Sequence, residues 1–265
     1  MISRLSRSFK KRVANFVLSR FLNDSEIQRF IIRNLRRLPP DQRALIKNDN
    51  AGFLLEVCDF LEESPAQLMQ DIWVLHELDR KRDGFFVEFG ATDGKSLSNT
   101  YLLEKKFGWK GILAEPNPLW HEALKRNRTA AISTKCVYSR SGEEVSFMAS
   151  SYPELGGVVD FLRPDEREKY AQTSEVIRVP TISLNDLLAE HKAPQNIDFM
   201  SIDTEGSELD ILENFDFDAW NVQLFCIEHN DTPTKARLFE LMADKGYETK
   251  FENLSDFDGW FSRRK

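Results

Sequence analysis

The segment Phe85-Phe86-Val87-Glu88-Phe89-Gly90-Ala91-Thr92-Asp93-Gly94 decides the fold, because an apolar run ends there in a glycine-containing turn. The run predicts a buried β-strand, and the amphipathic residues after it predict a helix over 95–107. Glycines let the backbone of such a turn approach a ligand closely. In open α/β sheets, ligands bind beyond the carboxyl ends of the strands. Taken alone, this turn also fits an ordinary connection between a strand and a helix.

Outward from this turn, short apolar runs alternate with amphipathic segments along the rest of the chain. Further strands are predicted at 111–115, 131–138, 144–149, 176–181, 197–203 and 222–228, with 247–251 and 260–261 closing the sheet. Helices are predicted at 118–127, 184–190, 207–214 and 233–245. Strands that alternate with helices indicate a doubly wound α/β fold with a mostly parallel, Rossmann-like sheet. We place this domain at residues 81–265.

Residues 1–80 form a predicted helical extension in front of that domain. Residues 1–40 hold ten basic and two acidic side chains, and 2–21 have a helical period of apolar residues. This stretch is an amphipathic helix packed on the protein itself, an interfacial helix that binds anionic lipid through residues 1–22, or a targeting presequence. Pro39-Pro40 ends it, and Ser64-Pro65 is predicted to begin a later helix.

The remaining residues carry a net charge of −15 within a total of −7. This acidic body argues against a nucleic-acid groove. The chain has no run of about 18 apolar residues, so we expect no membrane span. Its three cysteines, Cys58, Cys136 and Cys226, are too few and too widely spaced for a disulfide framework or a zinc site. We expect a cytoplasmic protein, in one alternative peripheral at the inner membrane surface.

Glu115 ends the second predicted strand, 21 residues after Gly94. An acid at that place can accept hydrogen bonds from both ribose hydroxyls of a nucleoside. A dinucleotide site requires Gly-x-Gly-x-x-Gly, but Thr92 stands at the middle glycine. Glu88 would also repel a pyrophosphate. The pattern therefore favours S-adenosylmethionine, which carries a sulfonium and an ammonium, over a nicotinamide cofactor.

Two more strand ends carry polar residues. Asp203 and Glu205 follow one strand, and Glu228, His229 and Asn230 end the next. The two acids after the first strand can bind an ammonium, a metal or a substrate hydroxyl, or Asp203 only caps a loop. His229 is either a general base or a structural histidine.

The segments 87–104, 108–118 and 197–206, together with Ile227-Glu228-His229-Asn230, resemble the FkbM family of methyltransferases. The resemblance covers about residues 83–262 and leaves out residues 1–80. It implies a class I methyltransferase fold, S-adenosylmethionine as the methyl donor, and O-methylation, often of a sugar.

The resemblance also implies roles for single residues. It places Glu88, Gly90, Ala91 and Gly94 along the methionine part of the cofactor, with Ser98 and Asn99 assisting. It places Glu115 on the ribose, the loop 137–139 near the adenine, and Asp203 and Glu205 at the amino-acid end of the cofactor or at the acceptor. Many class I enzymes read the adenine amino group with an acid, where this sequence has Ser139 and Arg140.

A sugar hydroxyl becomes a good nucleophile only when a base or a metal helps it lose its proton. We expect His229 or Asp203 as the base, beside Glu228, or a divalent metal bound by Asp203, Glu205 and Glu228. The insertion at 150–175 either covers the acceptor with Tyr152, Phe161, Tyr170, Arg163 or Arg167, or is a disordered loop. The rival hypotheses are a catalytically silent binding or scaffold protein, a nicotinamide-dependent oxidoreductase and a nucleic-acid methyltransferase.

Overall fold

The computed structural model describes residues 50–152, 156–162, 174–252 and 254–264. The predicted basic helix in residues 1–22 lies outside them, as do Arg163, Arg167 and Tyr170. Within the described ranges, no helix has both the length and the apolar character needed to cross a membrane. The chain divides into two compact units, 1–61 and 62–265. The domain boundary that we predict after residue 80 stays a prediction.

In chain order the helices are α1 (Asn50–Phe60), α2 (Gln70–Glu77), α3 (Tyr101–Phe107), α4 (His121–Asn127), α5 (Leu184–Glu190), α6 (Glu208–Glu213) and α7 (Lys235–Asp244). The strands are β1 (Phe85–Phe89), β2 (Lys110–Ala114), β3 (Ala131–Ser133), β4 (Cys136–Tyr138), β5 (Glu144–Ser150), β6 (Gly157–Val158), β7 (Ser174–Ser183), β8 (Asn196–Ile202), β9 (Asn221–Glu228), β10 (Tyr247–Lys250) and β11 (Asp258–Arg263). Helix α1 belongs to the first unit, and all the other elements belong to the second.

A seven-stranded sheet in the order β3-β2-β1-β8-β9-β11-β10 forms the centre of the second unit. All neighbouring pairs from β3 to β9 are parallel, and β11 is antiparallel to both β9 and β10. The chain builds outward from β1 to β3 and then returns to β8 on the other side of β1. The strand order therefore reverses between β1 and β8, where α/β sheets bind ligands. The predicted doubly wound, Rossmann-like fold is confirmed.

A smaller sheet in the order β4-β7-β5-β6 is inserted between β3 and β8 in the sequence. Strand β4 is parallel to β7, whereas β5 is antiparallel to both β7 and β6. The predicted extra strand at 144–149 is confirmed as β5. The single strand predicted over 131–138 is wrong, because β3 and β4 pair in different sheets.

The side chains of β1 and of the neighbouring strands pack between helices on both faces of the large sheet. Phe86 and Val87 are fully buried, as an apolar strand in a doubly covered sheet requires. On one face, Trp73 of α2 stacks on Trp260 of β11 with ring centroids 5.1 Å apart. This contact fixes the first turn of α2 beside the carboxyl ends of β8 and β9.

Two helix starts differ from the prediction. The helix predicted over 95–107 begins only at Tyr101, because Ser98 and Thr100 bond to Glu88 instead of continuing a helix. The helix start predicted at Ser64-Pro65 is also wrong, since α2 begins at Gln70. The Ser64 hydroxyl instead donates a 2.6 Å hydrogen bond to Asp71 Oδ1.

Candidate active site

A cavity of about 290 Å³ opens at the carboxyl ends of β1, β2, β8 and β9 and is closed on one side by the smaller sheet. Its volume is near the lower end of the range for small-molecule sites. The predicted site residues on its wall are Gly90, Asn99, Glu115, Asp203, Glu205 and Glu228. Those that do not line it are Glu88, Ala91, Gly94, Ser98, Ser139 and His229.

Gly90 directly follows β1, and its backbone lies against Asp203, the residue that directly follows β8. Its φ is +67°, and a Cβ at this position would lie 2.5 Å from the Asp203 carbonyl oxygen. Any other residue would therefore meet both a left-handed backbone and the end of β8. The glycine leaves the backbone bare at the cavity wall.

Glu115 lies at the end of β2 with its side chain held by backbone donors. Thr92 N donates to Oε2 at 2.8 Å, and Asn117 N donates to Oε1 at 2.7 Å. Burial raises the pKa of Glu115 to about 7, and these two N–H groups oppose that rise. Each carboxylate oxygen accepts more than one hydrogen bond, so acceptor capacity remains on the cavity side.

Asn99 lines the cavity and has an unpaired side-chain acceptor. Its Nδ2 donates to Ser201 Oγ at 2.9 Å, which fixes the orientation of the amide. The Oδ1 atom is buried and has no hydrogen-bond partner among the described residues. A buried carbonyl oxygen without a donor is costly, so this atom favours a ligand that carries an N–H group.

Glu88, Gly94 and Ser98 lie behind the cavity wall. Glu88 accepts hydrogen bonds from Asn99 N at 2.7 Å and from Thr100 Oγ1 at 2.5 Å, and Ser98 Oγ donates to the same carboxylate. A Cβ on Gly94 would lie 2.6 Å from Arg128 Cγ. These three residues hold the loop between β1 and α3, and their predicted contacts with a cofactor stay predictions.

Ala91 and Ser139 are also away from the cavity wall. Ala91 is buried, and its N–H donates to the Ala114 carbonyl at 3.3 Å. Ser139 follows β4, and the preceding part of that strand reaches the cavity through Cys136 and Val137. This edge of the cavity is apolar, as the flat face of an adenine would require.

Asp203, Glu205 and Glu228 converge on one point of the cavity. One ligand atom from each lies within 4.8 Å of the others. The Oε2 atom of Glu228 is buried without a hydrogen-bond partner in the described part of the chain. Among the described lining residues there are five carboxyl side chains and no lysine, arginine or histidine. The cavity therefore favours positively charged ligands.

The crowding of these acids changes their protonation. Burial raises the pKa of Asp203 to about 7, with further increases from the negative charges of Asp258 and Glu208. Burial, followed by the charge of Asp203, raises the pKa of Glu228 well above its ordinary range. A side-chain hydrogen bond joins Asp203 to Glu228 and lowers the pKa of Asp203. The pair can therefore hold one proton near neutral pH.

His229 is turned away from this pair. Its ring packs against Phe239 of α7 with centroids 5.6 Å apart, and its Nδ1 accepts from Asp231 N at 3.1 Å. Burial, with the charge of Lys235 as the next cause, lowers its pKa. Successive strand residues point to opposite faces, so Glu228 faces the cavity and His229 does not. The structure gives no support to the predicted role of His229 as a base.

Several lining residues were not singled out from the sequence. Asp258 in β11 is buried, and its Oδ2 accepts from Gln70 Nε2 at 2.8 Å and from Cys226 Sγ at 3.1 Å. Its β-strand neighbour across the sheet is Glu228. In the sequence, Asp258 is recognisable only as an acidic residue two positions before Trp260, just ahead of the segment predicted to close the sheet. Asn117 and Trp120 also line the cavity, together with Thr92 and with Tyr152, the insertion residue that the sequence predicted to cover the acceptor.

Comparisons with known proteins identify the family. The FkbM methyltransferase domain matches residues 88–249. Methyltransferase 1 of Beauveria bassiana (strain ARSEF 2860) is 24% identical over 193 residues, which cover 64% of this chain and 74% of that protein.

Solved structures give weaker similarities. The METTL16 methyltransferase domain is 13% identical, with 80% of this chain and 77% of that chain covered and a TM-score of 0.41. Precorrin-6y C5,15-methyltransferase from Geobacter metallireducens GS-15 is 12% identical, with 72% and 84% covered and a TM-score of 0.36. Both TM-scores are below 0.5, and the family assignment does not depend on either. The match over 88–249, which spans every strand from the end of β1 to β10, shows that the chain belongs to the FkbM methyltransferase family.

Proposed function

We propose that this protein is an S-adenosylmethionine-dependent O-methyltransferase that acts on a sugar hydroxyl of a glycan, a glycolipid or a glycosylated small molecule. The observation that carries the proposal is the acidic cavity at the strand-order reversal of a family methyltransferase. A cavity with five carboxyl groups on its described wall suits a cofactor with a sulfonium and an ammonium.

The residues on the wall fit S-adenosylmethionine. The bare backbone at Gly90 permits close approach, and Glu115 has free acceptor capacity for the ribose hydroxyls. The unpaired Oδ1 of Asn99 can accept from the ammonium of the amino-acid part. The apolar edge at Val137 can cover the adenine. When bound, the cofactor supplies an electrophilic methyl group on sulfur.

Asp203 is the residue that we assign to remove the proton of the acceptor hydroxyl. As the new bond forms between that oxygen and the methyl carbon, the carbon–sulfur bond breaks and the hydroxyl proton moves to the Asp203 carboxylate. A base is most effective when its pKa is near the working pH, and that of Asp203 is raised to about 7. Glu228 holds the proton shared with Asp203 and so keeps Asp203 available as the acceptor.

The acceptor is proposed from the hydrogen-bonding groups around this pair. Gln67, Gln70, Thr204 and Asn230 line the same cavity, and Tyr152 is 56% exposed. Amides and hydroxyls of this kind suit a molecule with several hydroxyl groups, and an aromatic ring can stack on a sugar face.

A divalent metal held by Asp203, Glu205 and Glu228 is a second form of the same chemistry. The three side chains have ligand atoms within 4.8 Å of one another, and carboxylate oxygens are the ligands that Mg²⁺ prefers. The metal would then acidify the acceptor hydroxyl. Activity that survives exhaustive chelation but is lost in Asp203→Asn supports the base, whereas activity restored only by added Mg²⁺ or Mn²⁺ supports the metal.

We also propose that the basic residues in 1–22 bring a cytoplasmic enzyme to an anionic membrane, where glycolipid acceptors lie. Deletion of residues 1–22 should abolish sedimentation of the protein with vesicles that contain anionic lipid. If the full chain does not bind such vesicles, this part of the proposal fails.

Calorimetric titration with S-adenosylmethionine and S-adenosylhomocysteine tests the cofactor first. We expect micromolar binding that Glu115→Ala abolishes and that Glu122→Gln, a change at an exposed glutamate on α4, leaves unchanged. Transfer of a labelled methyl group to a panel of sugars and glycan precursors then tests the acceptor. Well-folded protein that binds neither nucleoside would overturn the proposal and favour a silent scaffold on this fold.

A further inference from the structure

Arg128 is a fully buried cation directly after α4. Its side chain has 0% exposure and lies over the rings of Phe86 and Tyr101, 5.3 and 5.9 Å from their centroids. Buried arginines are rare unless their donors are paired. Every nitrogen of this guanidinium has an acceptor, and all of the acceptors belong to β1, α3 or the loop of residues 90–100 between them.

The contacts of Arg128 reach three places on the 90–100 loop. Nη1 donates to the Gly94 carbonyl at 3.1 Å and to Ser98 Oγ at 3.1 Å, and Nη2 donates to Thr100 Oγ1 at 2.7 Å. One rigid, planar group therefore holds the loop at three points, from its middle to its end. A lysine has no such fork and could not reach all three acceptors.

Two acids anchor the guanidinium itself. Nε donates to Glu104 Oε2 of α3 at 2.8 Å, and Nη1 lies 3.4 Å from Glu88 Oε2 of β1. Burial alone raises the pKa of Glu104, but the charge of Arg128 and the hydrogen bonds from Thr129 and Arg128 leave it lowered overall. The arginine is thus tied to the strand before the loop and to the helix after it.

The Arg128 side chain also explains the second glycine of the turn. A Cβ at position 94 would meet Arg128 Cγ and Leu124 Cδ1, both at 2.6 Å. Glu88, Gly94 and Ser98, which the family pattern suggests as cofactor ligands, instead surround the arginine. The same loop carries Thr92, Leu97 and Asn99 on the cavity wall.

We propose that Arg128 is the positioning residue of the cofactor site, which holds the 90–100 loop in the shape that presents Asn99 and Leu97 to the ligand. Arg128 contributes to binding indirectly, by ordering the 90–100 loop before the ligand binds. The loop then loses little conformational entropy on binding. The part of the inference that concerns the cofactor rests on the proposed function.

The first test measures the loop without any ligand. Hydrogen–deuterium exchange of the peptide covering 92–101 should be slow in the wild type, since Asn99 N and Tyr101 N donate to Glu88 and Ser98. The double variant Arg128→Met, Glu104→Gln removes the ion pair without leaving Glu104 charged, and exchange in this peptide should become faster. Exchange elsewhere in the folded protein should stay unchanged.

The second test measures S-adenosylhomocysteine affinity by calorimetry. We expect the double variant to bind about 10- to 100-fold more weakly, as displaced binding groups do. Arg128→Lys should recover most of the thermal stability but only part of the affinity. Met242→Ala, on the buried side of α7 and away from the cavity, is the control: it should lower the melting temperature and leave affinity and loop exchange unchanged.

The outcomes separate this inference from the proposed function. If wild type binds no nucleoside, the proposed function fails, and loop exchange alone still decides the role of Arg128. If the double variant does not fold, Arg128→Lys carries the test, because it retains the charge and loses the fork. Loop exchange and affinity equal to wild type in either folded variant would overturn the inference.

Discussion

Asp258 lies directly opposite Glu228 in the antiparallel pair of β9 and β11, and both carboxyl groups line the same cavity. Gln70 and Cys226 both donate to Asp258 Oδ2, so this oxygen serves as an acceptor. A negative charge fixed beside the Asp203–Glu228 pair raises the pKa of both members.

Asp258→Asn should therefore move the acid limb of the pH–rate profile to lower pH, by up to about one unit. The amide removes a negative charge, so Asp203 loses its proton at a lower pH. The measurement is kcat against pH with saturating substrates and with chelator present. Asp218→Asn, at an exposed position on the surface, should leave the profile in place. An unchanged profile in Asp258→Asn would show that Asp203 does not carry the kinetic titration.

Glu115 should make cofactor binding depend on pH. Its pKa is about 7 in the free protein, and only the ionised carboxylate can accept from both ribose hydroxyls. At pH 6 about one tenth of the protein is in that form, so the affinity should be roughly tenfold below its value at pH 8.

Calorimetry at a series of pH values measures this dependence. Glu115→Gln should bind the cofactor weakly, and its affinity should no longer fall tenfold between pH 8 and pH 6. Asp203→Asn should keep this tenfold change, because Glu115 is intact. If the pH dependence persists unchanged in Glu115→Gln and disappears in Asp203→Asn, the assignment of the titrating group is wrong.

Gly90→Ala should destabilise the protein much more than Gly142→Ala. Both glycines have positive φ, +67° and +82°, but a Cβ meets the Asp203 carbonyl at 2.5 Å in the first case and nothing within 4 Å in the second. We expect a loss of about 1 kcal/mol at Gly142 from backbone strain alone. At Gly90 the overpacking should add about 1–3 kcal/mol. Urea unfolding of the two variants measures the difference, and equal losses would contradict the close contact.

Asp71→Asn should stabilise the protein at alkaline pH. Asp71 is fully buried in α2, its Oδ2 has no hydrogen-bond partner among the described residues, and burial raises its pKa to about 7. The folded-state pKa lies above the unfolded value of about 3.9. The wild type therefore loses stability as pH rises through about 4 to 7, because the unfolded state has already released the proton that the folded state still binds.

The asparagine has no charge to bury, so its stability should not show this loss. The variant should exceed wild type by about 1–3 kcal/mol at pH 8, with a much smaller difference at pH 4. Urea unfolding at the two pH values measures both numbers. A difference that is the same at pH 4 and pH 8 would mean that the pKa of Asp71 in the folded state is not raised above its unfolded value.

The sequence predicted the central strands well because each is a short apolar run ended by a polar residue. Strands β1, β8 and β9 begin and end within one residue of the predicted positions. Glu115 and Asp203 line the cavity, as expected for polar residues that directly follow parallel strands. In contrast, the start of α3 was wrong because the side-chain oxygens of Ser98 and Thr100 bond to Glu88. Such bonds between segments leave no periodic pattern in the sequence.

Arg128 and Asp258 were not recognised for a related physical reason. A basic residue at the end of a surface helix and an acid at the start of a strand usually face water. Only the packing of α4 against the 90–100 loop, and of α2 against β11, shows that both side chains are buried. The sequence also did not show that the His229 side chain points away from the cavity. Which side chains at the end of β9 face the cavity depends on the register of that strand in the sheet.

Ser183 is at once the last residue of β7 and the N-cap of α5, with its Oγ accepting from Asp186 N at 3.1 Å. Leu184, Leu187 and Leu188 follow immediately and are buried in the core of the large sheet. No hinge residue separates the smaller sheet from that core at this end. If the smaller sheet tilts toward a bound acceptor, α5 must therefore shift with it. The cavity wall that the smaller sheet forms and the core side chains of α5 would then move together.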